Sequence, residues 1–236
     1  MSQSRGSQGG CSLRKVALFV DLAPEALLPL EKRCAWRTYE PGEPIIDHLD
    51  DSDEVFFIVE GEARASLYSL DGKAVTFCDL GPGEMFGENA AIDGAPRSAS
   101  IEARSGCLVA SMTASAFRSL MLSEPAVAMV LLRQMVSRIR SLTTRVYEFS
   151  ALAVSNRIQA EVLRLAELAR QQGGEARIDP APTHADIASR TSTHREAVTR
   201  ELSRLTRLGI IERRDRALVV KDLARLTAMV HEATGE

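Results

Sequence analysis

From Trp36 to Met112, short apolar runs alternate with turn residues. The runs are Val55-Phe56-Phe57-Ile58-Val59, Ala63 to Leu70, Ala74 to Leu80 and Leu108 to Met112. Between them stand Pro41-Gly42, Gly61, Asp71-Gly72, Gly81-Pro82-Gly83, Asp93-Gly94 and Ser105-Gly106. Short β-prone runs cut by Gly-containing turns predict an antiparallel sandwich or barrel. After Met112 the period changes. Thr113 is a candidate N-cap for a helix over Ala114–Met121, and Pro125 opens a longer one. In that longer helix Ala128, Leu132, Met135, Ile139, Leu142, Val146 and Phe149 recur at spacings of four and three. Such a narrow heptad seam predicts a coiled coil between two copies of the chain, with packing inside one chain as the alternative. Residues 151–170 carry the helical pattern on through Ile158, Val162, Leu163, Leu165 and Leu168, and Gln171-Gln172-Gly173-Gly174 predicts its end.

Beyond that end the elements are short. Thr183 with Asp186 three residues on is an approximate capping box. Ile187 and Ala188 would face inward in the helix it opens, and Ser192 and Thr193 would make the turn and cap the next helix. In that next helix Ala197, Val198, Leu202 and Leu205 form an apolar stripe, opposite His194, Arg195, Arg200, Arg204 and Arg207. A short helix, a tight turn and a second helix with a basic face read as a helix-turn-helix. Arg donates two parallel hydrogen bonds to guanine O6 and N7, and Glu accepts from cytosine N4. Arg195 and Glu196 begin the second helix, where base edges are met, with Arg200 about one turn on. The hydroxyls of Thr191, Ser192 and Thr193 suit phosphate contacts. A solvated basic face is the alternative. Ile210-Ile211 and Ala217-Leu218-Val219-Val220 around a charged turn predict a hairpin wing.

Composition adds a division of labour. Length allows two modest domains, and no apolar run approaches the ~18–20 residues of a membrane helix. Residues 1–150 hold 15 basic and 20 acidic residues, net −5, whereas residues 151–236 hold 14 and 12, net +2. An acidic part followed by a mildly basic one fits a sensor joined to a nucleic-acid reader. Cys11, Cys34, Cys78 and Cys107 are scattered and predict no metal site. The four His residues are far apart and no nucleophile motif is present, so no enzyme is predicted. The Ser-, Gln- and Gly-rich start predicts a disordered tail without a targeting signal, in a cytoplasmic protein.

Residues 81–100 hold Phe86-Gly87-Glu88 and, after a short link, Pro96-Arg97-Ser98-Ala99. A Gly beside a Glu allows close backbone approach, and the carboxylate can hold a sugar hydroxyl. An Arg-Ser pair offers a charge-assisted fork and a hydroxyl to a phosphate. On spacing alone a turn-rich loop with a surface Arg is an equal reading. The segment closely resembles the phosphate-binding cassette of the cyclic-nucleotide-binding fold. Residues 183–200 resemble, without a gap, the helix-turn-helix of the cyclic-AMP receptor protein family. The chain is thereby identified as a member of the Crp-Fnr regulators over roughly residues 16–225.

The resemblance implies an α+β architecture. It comprises a tail over 1–12, an antiparallel β-roll over 13–124, a dimerisation helix over 125–153 and a winged helix-turn-helix over 154–236. It implies that Glu88, with the Gly87 backbone beside it, takes the ribose 2′-hydroxyl, and that Arg97, Ser98 and neighbouring Ala99 form the phosphate site. Arg138 would meet the cassette Glu, and Thr143 would reach the purine across the dimer. Thr193, His194, Arg195, Glu196 and Arg200 would contact double-stranded DNA at a palindromic TGTGA-like site. The implied effector is cyclic AMP ahead of cyclic GMP, without a metal, and RNA polymerase is a further candidate partner. Three features depart from the family pattern: Leu142 at a hydroxyl position, Asn89-Ala90-Ala91 in the cassette link, and Asp47-His48-Leu49-Asp50-Asp51 without its usual Gly. They leave open another ligand, or control without one. An iron–sulfur or haem sensor, and a nucleotide-binding protein without DNA function, are the competing readings.

Overall fold

The computed structural model describes residues 12–68, 74–172 and 174–235. The expected tail, apart from Ser12, lies outside them, as do Cys11, the last two residues of the run Ala63 to Leu70, and Gly173. The chain divides into two compact units, residues 1–67 with 77–137 and residues 68–76 with 138–236.

The first unit opens with two short 3-10 turns (Leu13–Lys15 and Ala17–Phe19), followed by α1 (Pro24–Arg33), β1 (Ala35–Tyr39), β2 (Pro44–Ile46), β3 (Val55–Glu60), β4 (Ala63–Tyr68) and β5 (Ala74–Leu80). It continues with β6 (Met85–Phe86), α2 (Glu88–Asp93), β7 (Ser100–Ala103), β8 (Cys107–Met112) and α3 (Ala114–Ser123), and then enters α4 (Pro125–Ala151). Eight strands make two antiparallel sheets, ordered β1-β8-β3-β6 and β2-β7-β4-β5. Strand β3 explains why its sequence is a continuous apolar run rather than an alternating one, because both of its faces are covered. Phe56 and Ile58 join Tyr39, Ile101, Ala103 and Val109 in the core between the sheets. Val55 and Phe57 point the other way, into a core shared with Phe19, Leu27, Phe117, Val127 and Leu131. The Thr113 hydroxyl accepts from the Ala116 N–H at 3.3 Å and caps α3.

Helix α4 runs unbroken over 27 residues. Val127 and Leu131 bury it against the first core, and Met135 packs against the same core. Four residues of the heptad seam are bare on a single chain: Leu132, Ile139, Leu142 and Val146 are each more than half exposed. Among the described residues no single helix is long and apolar enough to cross a membrane.

The second unit adds α5 (Val154–Leu168), β9 (Arg170–Gln172), β10 (Glu175–Ile178), α6 (His184–Arg190), α7 (Arg195–Arg207), β11 (Ile211–Arg214), β12 (Ala217–Val220) and α8 (Leu223–Thr234). Its sheet is ordered β11-β12-β10-β9. Ile158, Val162, Ile187, Val198, Leu205, Ile210 and Val220 fill its core.

Two expectations are corrected here. The helical pattern read over 151–170 is interrupted at Leu152 and Ala153 and stops at Leu168, which is exposed. Gln171 and Gln172 do not end a helix but belong to β9, which pairs antiparallel with β10. Pairing with a partner strand overrides the local helical period. The second correction concerns the turn. The N-cap of α7 is His194, without a side-chain cap bond, in place of Ser192 and Thr193. Ser192 takes a left-handed φ of 50°, and Thr193 is buried.

Candidate functional site

The cassette is built around one buried guanidinium. Arg97 follows the loop after α2 and is 2% exposed. Its Nη1 donates to the Gly87 carbonyl, its Nη2 to the Glu54 carbonyl and its Nε to Ser52 Oγ, each at 3.0 Å. The Glu54 carboxylate lies 3.7 Å away and the Phe56 ring 5.6 Å away. The backbone is tied as well: the Arg97 N–H donates to the Asp50 carbonyl and Leu49 N–H donates to the Arg97 carbonyl, at 3.0 and 3.1 Å. Burial pushes the guanidinium below its ordinary pKa, and the surrounding Glu54, Asp50, Asp53 and Glu88 carboxylates oppose that shift. An Arg carries five N–H groups, and three are engaged here among the described residues.

Gly87 is required by this arrangement. Its φ is +83°, and an added Cβ would stand 2.7 Å from both Arg97 Nη1 and the Glu54 carbonyl oxygen. Glu88 starts α2 and is 3% exposed. Ser98 is exposed, with Asn89 Nδ2 donating to its hydroxyl at 3.4 Å, and Ala99 is half-buried. These features fit a cyclic nucleotide: a close-approach glycine, a carboxylate, a guanidinium and a hydroxyl share one short segment. Arg138 and Thr143 stand on α4 in its share of the second unit, and the Thr143 hydroxyl donates to the Ile139 carbonyl of its own helix.

Sequence reasoning did not anticipate Ser52 and Glu54 as the groups that hold Arg97. The absent loop glycine was the available signal. At that place Leu49 is exposed and has a φ of 68°, a left-handed conformation that costs an L residue ~1–2 kcal/mol.

The second constellation is α6, the turn and α7. The capping box is complete: Thr183 Oγ1 accepts from the Asp186 N–H, and Asp186 Oδ2 accepts from the Thr183 N–H, both at 3.1 Å. His184 Nδ1 lies 2.7 Å from the Thr199 hydroxyl, joining the start of α6 to α7. His194, Arg195, Glu196 and Arg200 are all exposed. Thr193 is buried and its N–H donates to the Ala188 carbonyl at 3.0 Å, so it holds the turn rather than offering an open hydroxyl. Thr191 is buried too, its hydroxyl donating to the Ile187 carbonyl at 2.7 Å. Arg204 is half-exposed but already paired: its Nη2 donates to buried Glu201 at 2.7 Å, and Glu201 accepts from Gln159 Nε2 at 2.7 Å. On the wing, Arg214 pairs with Glu175 and Glu212, and Arg216 with Asp179.

The described cysteines Cys34, Cys78 and Cys107 are free thiols, and Cys78 is exposed. Cys107 is buried with its Sγ donating to the Glu62 carbonyl at 2.9 Å, and burial pushes the Cys34 thiol up to about 11. Among the described residues no three His, Cys, Asp or Glu side chains converge as metal ligands.

Two family profiles match, the cyclic nucleotide-binding domain over residues 36–124 and the Crp-like helix-turn-helix domain over residues 157–229. A CRP-like cAMP-activated global transcriptional regulator from Mycobacterium tuberculosis is 25% identical over 215 residues, 91% of this chain and 96% of that protein. The cyclic AMP receptor protein of Thermus thermophilus is 28% identical over 209 residues, 89% and 94% of the two chains. The solved structure of a CooA mutant from Carboxydothermus hydrogenoformans shares the fold, with a TM-score of 0.79 at 18% identity, over 91% of this chain and 95% of that one. The cassette lies within the first matched segment and the helix-turn-helix within the second. The chain therefore belongs to the Crp-Fnr family, as a CRP-like transcription regulator with a cyclic-nucleotide-binding domain and a DNA-binding helix-turn-helix domain.

Proposed function

We propose that the chain acts as a cytoplasmic homodimer that binds a palindromic TGTGA-like DNA site under the control of a cyclic nucleotide, cyclic AMP ahead of cyclic GMP. The observation that carries this reading is the grouping of Gly87, Glu88, Arg97 and Ser98 in one short segment of the matched nucleotide-binding domain, where Gly87 tolerates no Cβ. The relatives printed as cAMP-activated support the choice of nucleotide. In this reading Arg97 and Ser98 take the cyclic phosphate, with Ala99 beside them. Glu88 and the Gly87 backbone take the ribose. Arg138 steadies Glu88, and Thr143 reaches the purine from the partner helix.

Homodimer formation is supported by the bare stripe on α4. Leu132, Ile139, Leu142 and Val146 leave an apolar seam that a second copy would bury. On DNA, Arg195, Glu196 and Arg200 meet base edges. His194, exposed at the N-cap, and Thr193, through the turn it holds, set the register. The dimer then requires half-sites roughly 34 Å apart, one DNA turn. The nucleotide favours one arrangement of the dimer only through its preference for that arrangement. RNA polymerase is a further partner of a regulator bound there.

A second reading, control without a cyclic nucleotide, is favoured by the same guanidinium, because protein acceptors already cover Arg97. Isothermal titration calorimetry with cyclic AMP and then cyclic GMP separates the two. Binding of cyclic AMP supports the first reading, and selectivity for cyclic GMP would reassign the effector and point to Leu142. Binding of neither overturns nucleotide control.

A further inference from the structure

Charged side chains from three helices meet in the interior of the second unit. Helix α4 contributes Arg145 and Glu148, α5 contributes Glu161 and Arg164, and α6 contributes Arg190. Glu148, Glu161 and Arg190 are all buried. Arg145 Nη2 donates to the Arg190 carbonyl at 2.7 Å and lies 3.8 Å from Glu161. Glu161 faces Arg190 Nη1 at 3.6 Å and also pairs with Arg164, whose Nη2 donates to Glu148 at 2.7 Å. Burial pushes the Arg145 guanidinium below its ordinary pKa, with Glu161 pulling the other way.

Three guanidinium groups thus share two carboxylates, an arrangement that desolvation makes expensive. Well-packed apolar side chains would stabilise the same interior at least as well. What the cluster adds is geometry. Arg190 is the last residue of α6, and its carbonyl stands just before the turn into α7. Arg145 fastens that carbonyl to the end of α4.

We propose that Arg145, through Glu161 and the Arg190 carbonyl, is a positioning residue that fixes the helix-turn-helix against the C-terminal part of α4. The inference rests on the function proposed above for its consequence: Thr143 lies two residues before Arg145 on the same helix, so a shift of α4 driven by nucleotide is passed directly to the turn before α7. Arg145 donates to the Arg190 carbonyl, pairs with Glu161 and lies over the Phe149 ring; a lysine keeps the positive charge and a donor for that carbonyl, whereas a methionine keeps only the bulk.

The test uses the full chain as Arg145→Met and Arg145→Lys. Hydrogen exchange is followed at the Thr191 and Thr193 amides, which donate to Ile187 and Ala188. Anisotropy of a TGTGA-palindrome duplex is measured with and without cyclic AMP. The expected result is faster exchange in Arg145→Met and a nucleotide-dependent gain in DNA affinity reduced about fivefold, both restored in Arg145→Lys. Unchanged exchange and unchanged gain in Arg145→Met overturn the proposal, as does a lysine variant that behaves like the methionine one. If Arg145→Met does not fold, Arg145→Gln replaces it, with the same direction expected in both readouts and the same outcome overturning the proposal. A wild-type chain whose DNA affinity ignores cyclic AMP defeats the functional reading instead, and the exchange rates then decide the positioning role by themselves.

Discussion

The two arginine sites at the centre of this regulator are built in opposite ways. Arg97 is buried, and two backbone carbonyls and a serine hydroxyl hold its fork in place. Arg195 and Arg200 are exposed on α7, oriented by the helix backbone and by the apolar stripe of Val198, Leu202 and Leu205 beneath them. On the proposed function, the difference follows the ligand. A small anion requires a preorganised fork, at the cost of desolvating the arginine and fitting a glycine beside it. A DNA duplex is large, and its grooves desolvate the side chain only on binding, so the helix need only present it. Removing the arginine should therefore disturb the fold at the first site and only binding at the second.

The largest effect is expected for Arg97→Met. It leaves the Gly87 and Glu54 carbonyls without their donor, at ~1–3 kcal/mol each. Chemical denaturation should show that loss of stability, and calorimetry should show loss of nucleotide binding. A variant as stable as the wild type would break the contrast. Arg195→Ala comes next. Its thermal midpoint should match the wild type, while operator affinity falls by ~1–3 kcal/mol with relaxed specificity at one base pair. Thr183→Ala removes the capping box of α6 and should cost about 1 kcal/mol in denaturant unfolding. Leu49→Gly is the smallest test and reverses the sign. Relief of the left-handed φ outweighs the added backbone freedom, for a gain of about 0.5 kcal/mol by the same measurement.

Much of this was legible in the sequence. Apart from Asp71-Gly72, which lies outside the described residues, Gly-containing turns marked the β-roll strands, because a left-handed turn position favours glycine. Thr113 and the Thr183–Asp186 pair announced their helices because caps are local chemistry. The heptad along α4 was readable because periodicity is local too. What escaped the sequence is non-local. Arg170 to Gln172 have no β-prone side chains, and only their pairing with β10 makes them a strand. The break at Leu152 and Ala153 carries neither Gly nor Pro. Arg204 reads as part of a basic face until Glu201 and Gln159 are seen beside it. At the cassette, Gly87 and Arg97 stood out, whereas Ser52 and Glu54 lie more than 40 residues earlier in the chain than the guanidinium they hold. The charge cluster of Arg145, Glu161 and Arg190 follows the same rule, since three separate helices must fold before they meet.

The most direct test of the account is the affinity of the wild-type chain for a TGTGA-palindrome duplex, measured by fluorescence anisotropy at fixed salt with and without saturating cyclic AMP. The account predicts tighter binding with the nucleotide, by at least about fivefold. Equal affinity in both conditions, with calorimetry registering bound cyclic AMP, would contradict it.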